Sequence, residues 1–226
     1  MRHKLIIKLI TLVVVIINIA SVLFLEFFIS QLVRLASSAL FLLFLFLFLK
    51  TRDKLYLVFL MIMVIADVVD LYYTNPYITE LYSLIKIFAF SLLAVSILKK
   101  IKTQKLEYKV ALLFLIVVGI NLLIAYKLVS ETSNLLYNNI ERIAMFANWT
   151  VSISVAAITS KYYFDSETKS AFYFLCFTFL FIFTDLCGFA SNSFGMHAFL
   201  YLERILYFLG FMYLSFYLYS TKEKER

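Results

Sequence analysis

The chain has 226 residues, of which 64% are hydrophobic and only 15% charged, with a mean hydropathy of +0.94, whereas soluble domains sit near roughly 45–50% apolar and about 25% charged. That balance excludes a water-soluble fold and makes the bilayer the solvent. The net charge of +7 then reads as basic loops that orient helices rather than as a nucleic-acid partner, and continuous apolar runs with Gly 4 and Pro 1 exclude a turn-rich β-barrel.

A spanning helix needs about 20 apolar residues. The first candidate, 9–25, follows a basic stretch from Met1 to Lys8 and has no clear small-x-small cleavage site, so it reads as a retained helix rather than a leader. Seven more follow at 27–49, 55–73, 78–98, 110–126, 135–160, 170–191 and 198–219. The expected fold is an all-α polytopic bundle of eight transmembrane helices, a single transmembrane domain over 1–226, with connections too short for a soluble module. Cys176 and Cys187 lie eleven residues apart in one span, about 16 Å along a helix, too far for a disulfide. They read as core residues.

Orientation follows from Lys and Arg. With the N-terminus inside, the inner segments hold Arg2, Lys4 and Lys8; Lys50, Arg52 and Lys54; Lys99, Lys100, Lys102, Lys105 and Lys109; Lys161 and Lys169; and Lys222, Lys224 and Arg226, which is 16 of 21 basic residues. Every second loop is basic and the loops between are nearly bare, as eight crossings with both termini in the cytoplasm require. The Lys, Ile, Phe and Tyr bias resembles that of a low-GC bacterium, which places the chain in a bacterial inner membrane.

Two stretches match at an offset of 118 residues. Ala66-Asp67 precedes Lys86, and Thr184-Asp185 precedes Arg204, with 19 residues from Asp to base in both. Phe90 falls on Phe208. The match suggests two parallel four-helix halves, 1–107 and 108–226.

Charges within spans are costly and are usually paired or functional. Asp67 lies about 20 Å from the inner side and Lys86 about 12 Å from the outer side, so the two are expected to face each other across their hairpin, with Asp185 and Arg204 repeating the arrangement. Asp70, one helical turn from Asp67, Glu203 beside Arg204, and Asn148 in a span carrying Thr150, Ser152, Ser154, Thr159 and Ser160 reach similar depth. Tyr72, Tyr73 and Tyr82 are expected at the outer interface. Glu26, Arg34, Glu141 and Arg142 read as snorkelling or solvated residues near helix ends, and His197 as a solvated loop residue.

With its eight-helix plan, Ala66-Asp67-Val68-Val69 at the outer end of the third helix, and Thr184-Asp185-Leu186-Cys187 followed by Asn192 and Phe194 in the seventh, the chain resembles the lysoplasmalogenase (YhhN-like) family of membrane proteins. The resemblance implies that Asp67 and Asp185 are a catalytic acid–base pair cleaving a lipid vinyl ether. A carboxylic acid protonates the alkene carbon and water attacks the resulting oxocarbenium ion, with no metal or other cofactor. If that activity holds, Lys86, Arg204 or both are expected to bind the headgroup phosphate, with Asp70, Asn148, Glu203 and Asn192 as the further polar residues around it. The chain departs from the family at Ala66, where the family has Gly, and around Lys86, where it has a His-x-x-Tyr segment.

Two readings therefore stand: a lysoplasmalogenase-like hydrolase acting on a lipid ether headgroup, and a non-enzymatic transporter, lipid-binding module or envelope-complex subunit whose Asp–base pairs are structural. The partner expected in either case is a membrane lipid; a homodimer or a complex partner is left open. The discriminating feature is the space around the aspartates. An enzyme needs a polar pocket with a lateral, tail-sized opening, and a structural subunit needs a filled core.

Overall fold

A computed structural model describes residues 2–49, 54–72, 76–101, 108–132 and 138–224. Lys50, Arg52, Tyr73, Lys102, Lys105 and Arg226, used above for orientation and for the outer interface, lie outside them.

Among the described residues eight α-helices follow in order: α1 Arg2–Phe24, α2 Phe27–Phe44, α3 Lys54–Asp70, α4 Pro76–Leu98, α5 Tyr108–Glu131, α6 Asn139–Ser166, α7 Lys169–Phe194 and α8 Ala198–Lys224. No strand occurs among the described residues. Seven of the eight are long and apolar enough to cross a membrane; α3, with 17 residues, is the short one. The last turns of α2 continue as a π-helix, Leu45–Leu49.

Local chemistry sets several helix ends. The Asn138 side chain caps α6 by accepting from the Glu141 backbone N–H at 2.7 Å, and Thr168 caps α7 by accepting from that of Ala171 at 3.2 Å. Between them, α6 stops at Glu167, which takes the left-handed conformation at φ 47°. Helix α7 stops at Gly195, φ 64°, where glycine carries no Cβ penalty.

The packing order is a ring. Helix α1 packs on α8 and α2, α2 on α3, α3 on α4, α4 directly on α6, α6 on α7, and α7 on α8. Helix α5 stands outside this ring against α6, exposing Leu112, Leu113, Leu115, Ile116, Ile120 and Leu123. The outer faces of α1, α2 and α4 are likewise Leu, Ile, Val and Phe, including Leu12, Ile16, Leu40, Leu84 and Phe88. Only lipid tails solvate such a surface, so this is a multi-pass membrane bundle. The hairpins α3–α4 and α7–α8, which carry the sequence match, both form, but α5 lies outside the ring whereas α1, its counterpart by offset, lies in it.

The ring interior is divided. One part is dry and aromatic: Tyr56 and Phe59 from α3, Phe174, Phe177 and Phe181 from α7, and Phe208, Phe211 and Tyr217 from α8 are fully buried. They meet edge to face, as Phe59 meets Phe177 with centroids 5.5 Å apart and planes at 89°. With lipid outside as apolar as the core, this close packing is what holds the helices together. Gly210 lets α8 approach α7: a Cβ there would lie 2.5 Å from the Phe181 ring. The other part, at the end where α3 and α7 finish and α4, α6 and α8 begin, is polar.

Candidate functional site

The polar end is built from side chains that helical spacing turns inward. On α2 the buried residues Ser30, Gln31, Arg34, Ser37 and Ser38 form one stripe, at the steps of one, three and four that share a helix face. Its Ser37 and Ser30 hydroxyls bond Asn18 and Ser21 of α1 at 2.9 and 3.2 Å, which fixes the roll of α2 and aims Arg34 at the ring centre.

Arg34 is the hub, 5% exposed. Its Nη2 donates to Asp70 and lies 3.3 Å from an Asp67 oxygen, and its Nη1 donates to Glu203 at 2.5 Å. Asp67 also accepts from the Tyr207 hydroxyl at 2.7 Å. Across the ring, Lys86 Nζ donates to Asp185 Oδ1 at 2.7 Å and lies 5.3 Å from the centroid of the Tyr82 ring. Arg204 donates to Gln31 at 2.9 Å, and its Nε and Nη1 have no partner among the described residues.

The expected hairpin pairs are thus corrected. Asp67 pairs with Arg34 rather than Lys86, Lys86 with Asp185, and Arg204 with an amide rather than Asp185. All these helices contribute to one interior, so partners are chosen by position around the ring and not by hairpin connection. Arg34, read as a snorkelling residue, is buried because three carboxylates surround it. Glu141, read the same way, is 4% exposed at the first turn of α6, and Tyr82 lines the interior instead of the outer interface. Glu26, Arg142 and His197 are exposed as expected.

A cavity opens among these groups. It offers about 70 Å³ to the centres of water molecules and is lined by Gln31, Arg34, Asp70, Tyr82, Asn148, Trp149, Asp185, Gly188, Asn192 and Glu203, among others. One water needs ~10–15 Å³ on that measure, so several fit. Of the residues singled out from the sequence, Asp185, Asp70, Asn148, Glu203 and Asn192 line it; Asp67, Lys86 and Arg204 do not. Asn192 is exposed at the mouth.

A second cavity of about 80 Å³ adjoins the first. Asn121 and Ile124 of α5, Ser152 and Ile153 of α6, and Ile182 and Leu186 of α7 form its mainly apolar wall. Asn121 and Ile124 are exposed, so this slot lies at the lipid-facing side, between α5 and α7. Asn148, Trp149 and Asp185 line both cavities and form the wall they share. Compared with known proteins, the chain matches no family model, no curated protein and no solved structure.

Sequence reasoning missed Arg34, Gln31, Trp149 and Tyr207. The signal for the first two was present in the polar stripe of α2. Trp149 and Tyr207 carry no such signal among so many aromatics. Among the described residues no set of His, Cys, Asp and Glu side chains is grouped to hold a metal ion.

Proposed function

We propose that the protein binds a single-chain membrane amphiphile, its polar end in the carboxylate-lined cavity and its hydrocarbon chain in the slot between α5 and α7. The observation that carries this reading is the shared wall: Asn148, Trp149 and Asp185 belong both to a polar chamber and to an apolar slot facing lipid. A water-soluble ligand has no need of the slot, and a structural core has no need of the chamber. The setting is an eight-crossing bundle of two four-helix halves in a bacterial inner membrane, with both termini cytoplasmic. Helix α3 spans about 26 Å at 1.5 Å per residue, and its neighbours hold it across the bilayer.

The test uses the single tryptophan of the chain, which lines both cavities. A lysolipid brominated within its chain should quench Trp149 more than a two-chain phosphatidylcholine brominated at the same depth and mole fraction. Filling the slot with Ile182→Phe should abolish the difference. Equal quenching by both lipids would refute the reading.

A second reading is favoured by one atom. Asp185 Oδ2 has no partner among the described residues and Asp70 lines the same cavity, so a lysoplasmalogenase-like hydrolysis of a lipid ether headgroup would use Asp185 with Asp70 rather than Asp67. It stands second because both carboxylates already bind a cation directly. Aldehyde release from a lysoplasmalogen by the purified protein, lost in Asp185→Asn, would establish it; no release above the variant's background would remove it.

A further inference from the structure

We propose that the cavity selects a protonated primary amine as the polar end of that amphiphile. The inference rests on the amphiphile reading and adds the chemistry of the headgroup.

Charge comes first. Asp67, Asp70, Asp185 and Glu203 face Arg34, Lys86 and Arg204; with every group ionised this set carries one negative charge in excess. The imbalance is sharper on the cavity wall, where Asp70, Asp185 and Glu203 stand against Arg34 alone. Both terminal nitrogens of Arg34 are committed to carboxylates, and Lys86 and Arg204 line neither cavity. A phosphate would meet three carboxylates on the wall. The donors of the set left open among the described residues, Arg34 Nε and Arg204 Nε and Nη1, belong to one guanidinium already shared by three carboxylates and to another that lines neither cavity. An added cation, in contrast, restores neutrality in a site where an uncompensated charge is costly.

Hydrogen bonding narrows the cation. Asn148 is 6% exposed, and among the described residues neither its Oδ1 nor Asp185 Oδ2 has a partner. Both side chains line the chamber and the slot alike, on the wall that the head of a ligand whose chain lies in the slot would meet. Two orphan acceptors call for donors. An alkylammonium brings three N–H groups and a charge, a hydroxyl brings one donor and no charge, and a quaternary ammonium brings charge and no donor. The aromatic faces of Trp149 and Phe189 on the same wall favour any of the cations, so the donors decide among them. An alkylamine, like a lysine side chain with its pKa of about 10.4, is protonated at neutral pH.

The experiment titrates the protein in dodecyl maltoside with octylammonium, octyltrimethylammonium, octyl phosphate and propylammonium, following Trp149 fluorescence. Octylammonium should bind at least about tenfold more tightly than each of the others, the size of effect expected when charge-assisted hydrogen bonds are lost. Asp185→Asn and Asn148→Leu should each weaken it by about the same factor. Asn148→Leu removes no charge and keeps the test open if Asp185→Asn does not fold. Octyltrimethylammonium or octyl phosphate binding as tightly as octylammonium would overturn the amine inference and leave the amphiphile reading standing. Equal binding by propylammonium, or no response to any octyl compound, would overturn both.

Discussion

Replacing Arg34 by methionine removes the one cation that Asp67, Asp70 and Glu203 share. The side chain is 5% exposed and its three partners are each below 8%, so bulk water does not replace the lost donors, and the few waters the adjoining cavity can hold offer only part of them. Breaking a buried ion pair from one side costs about 3–5 kcal/mol, because the stranded charge keeps its desolvation penalty. Three carboxylates are stranded here, so at least about 3 kcal/mol of stability should be lost. Equilibrium unfolding in mixed maltoside and dodecyl sulfate micelles measures it. Neutralising the partners in the same chain, Asp67→Asn, Asp70→Asn and Glu203→Gln, should recover more than half of the loss, because similarly sized neutral groups strand no charge. A loss under about 1 kcal/mol, the size for an exposed pair, would mean that the cluster is open to water and that the charge argument for the cavity is wrong.

Gly210→Ala drives a methyl group to 2.5 Å from the buried Phe181 ring and should cost about 1–3 kcal/mol; the same unfolding assay should show Phe181→Leu relieving part of it. Glu167→Gly removes a side chain from φ 47° and should gain about 0.5–1 kcal/mol, the relief of left-handed strain less the added freedom of the unfolded chain. In a background without Cys176 and Cys187, a membrane-impermeant maleimide should label Asn192→Cys from the periplasmic side and Lys99→Cys only after the membrane is opened. The same side for both would contradict an odd number of crossings between them.

Helices were legible because a span needs only length and apolarity, and these are properties of contiguous residues. The eight predicted spans match the eight helices to within a few residues at most ends, and the caps at Asn138 and Thr168 shift starts only slightly. Depth was legible too. Asp67, Asp185, Lys86 and Arg204 do reach one level of the bundle, since rise per residue is constant. Partner choice was not legible. Lys86 finds Asp185 and not Asp67 because the order of helices around the ring is a property of packing. Nor does hydropathy reveal that α4 meets α6 while α5 stands aside. Arg34 could have been found: Ser30, Gln31, Ser37 and Ser38 on its own face mark a stripe that lipid would not tolerate. The slot beside Trp149 could not, because it is the gap between two helices rather than a property of either.

The wide spacing of the charged partners along the chain sets a timetable for synthesis. Arg34 meets Asp70 after 36 residues, but Lys86 waits 99 residues for Asp185, and Arg34 waits 169 for Glu203. At ~5–20 residues per second, Lys86 spends about 5–20 s with no carboxylate of its own. Through that interval a lone ammonium in the fourth helix must be held by the insertion machinery, by water at the outer face, or by a passing lipid headgroup. Asp185 becomes available only when the seventh helix is made, so a truncation before that helix should leave Lys86 without the carboxylate it pairs with in the bundle.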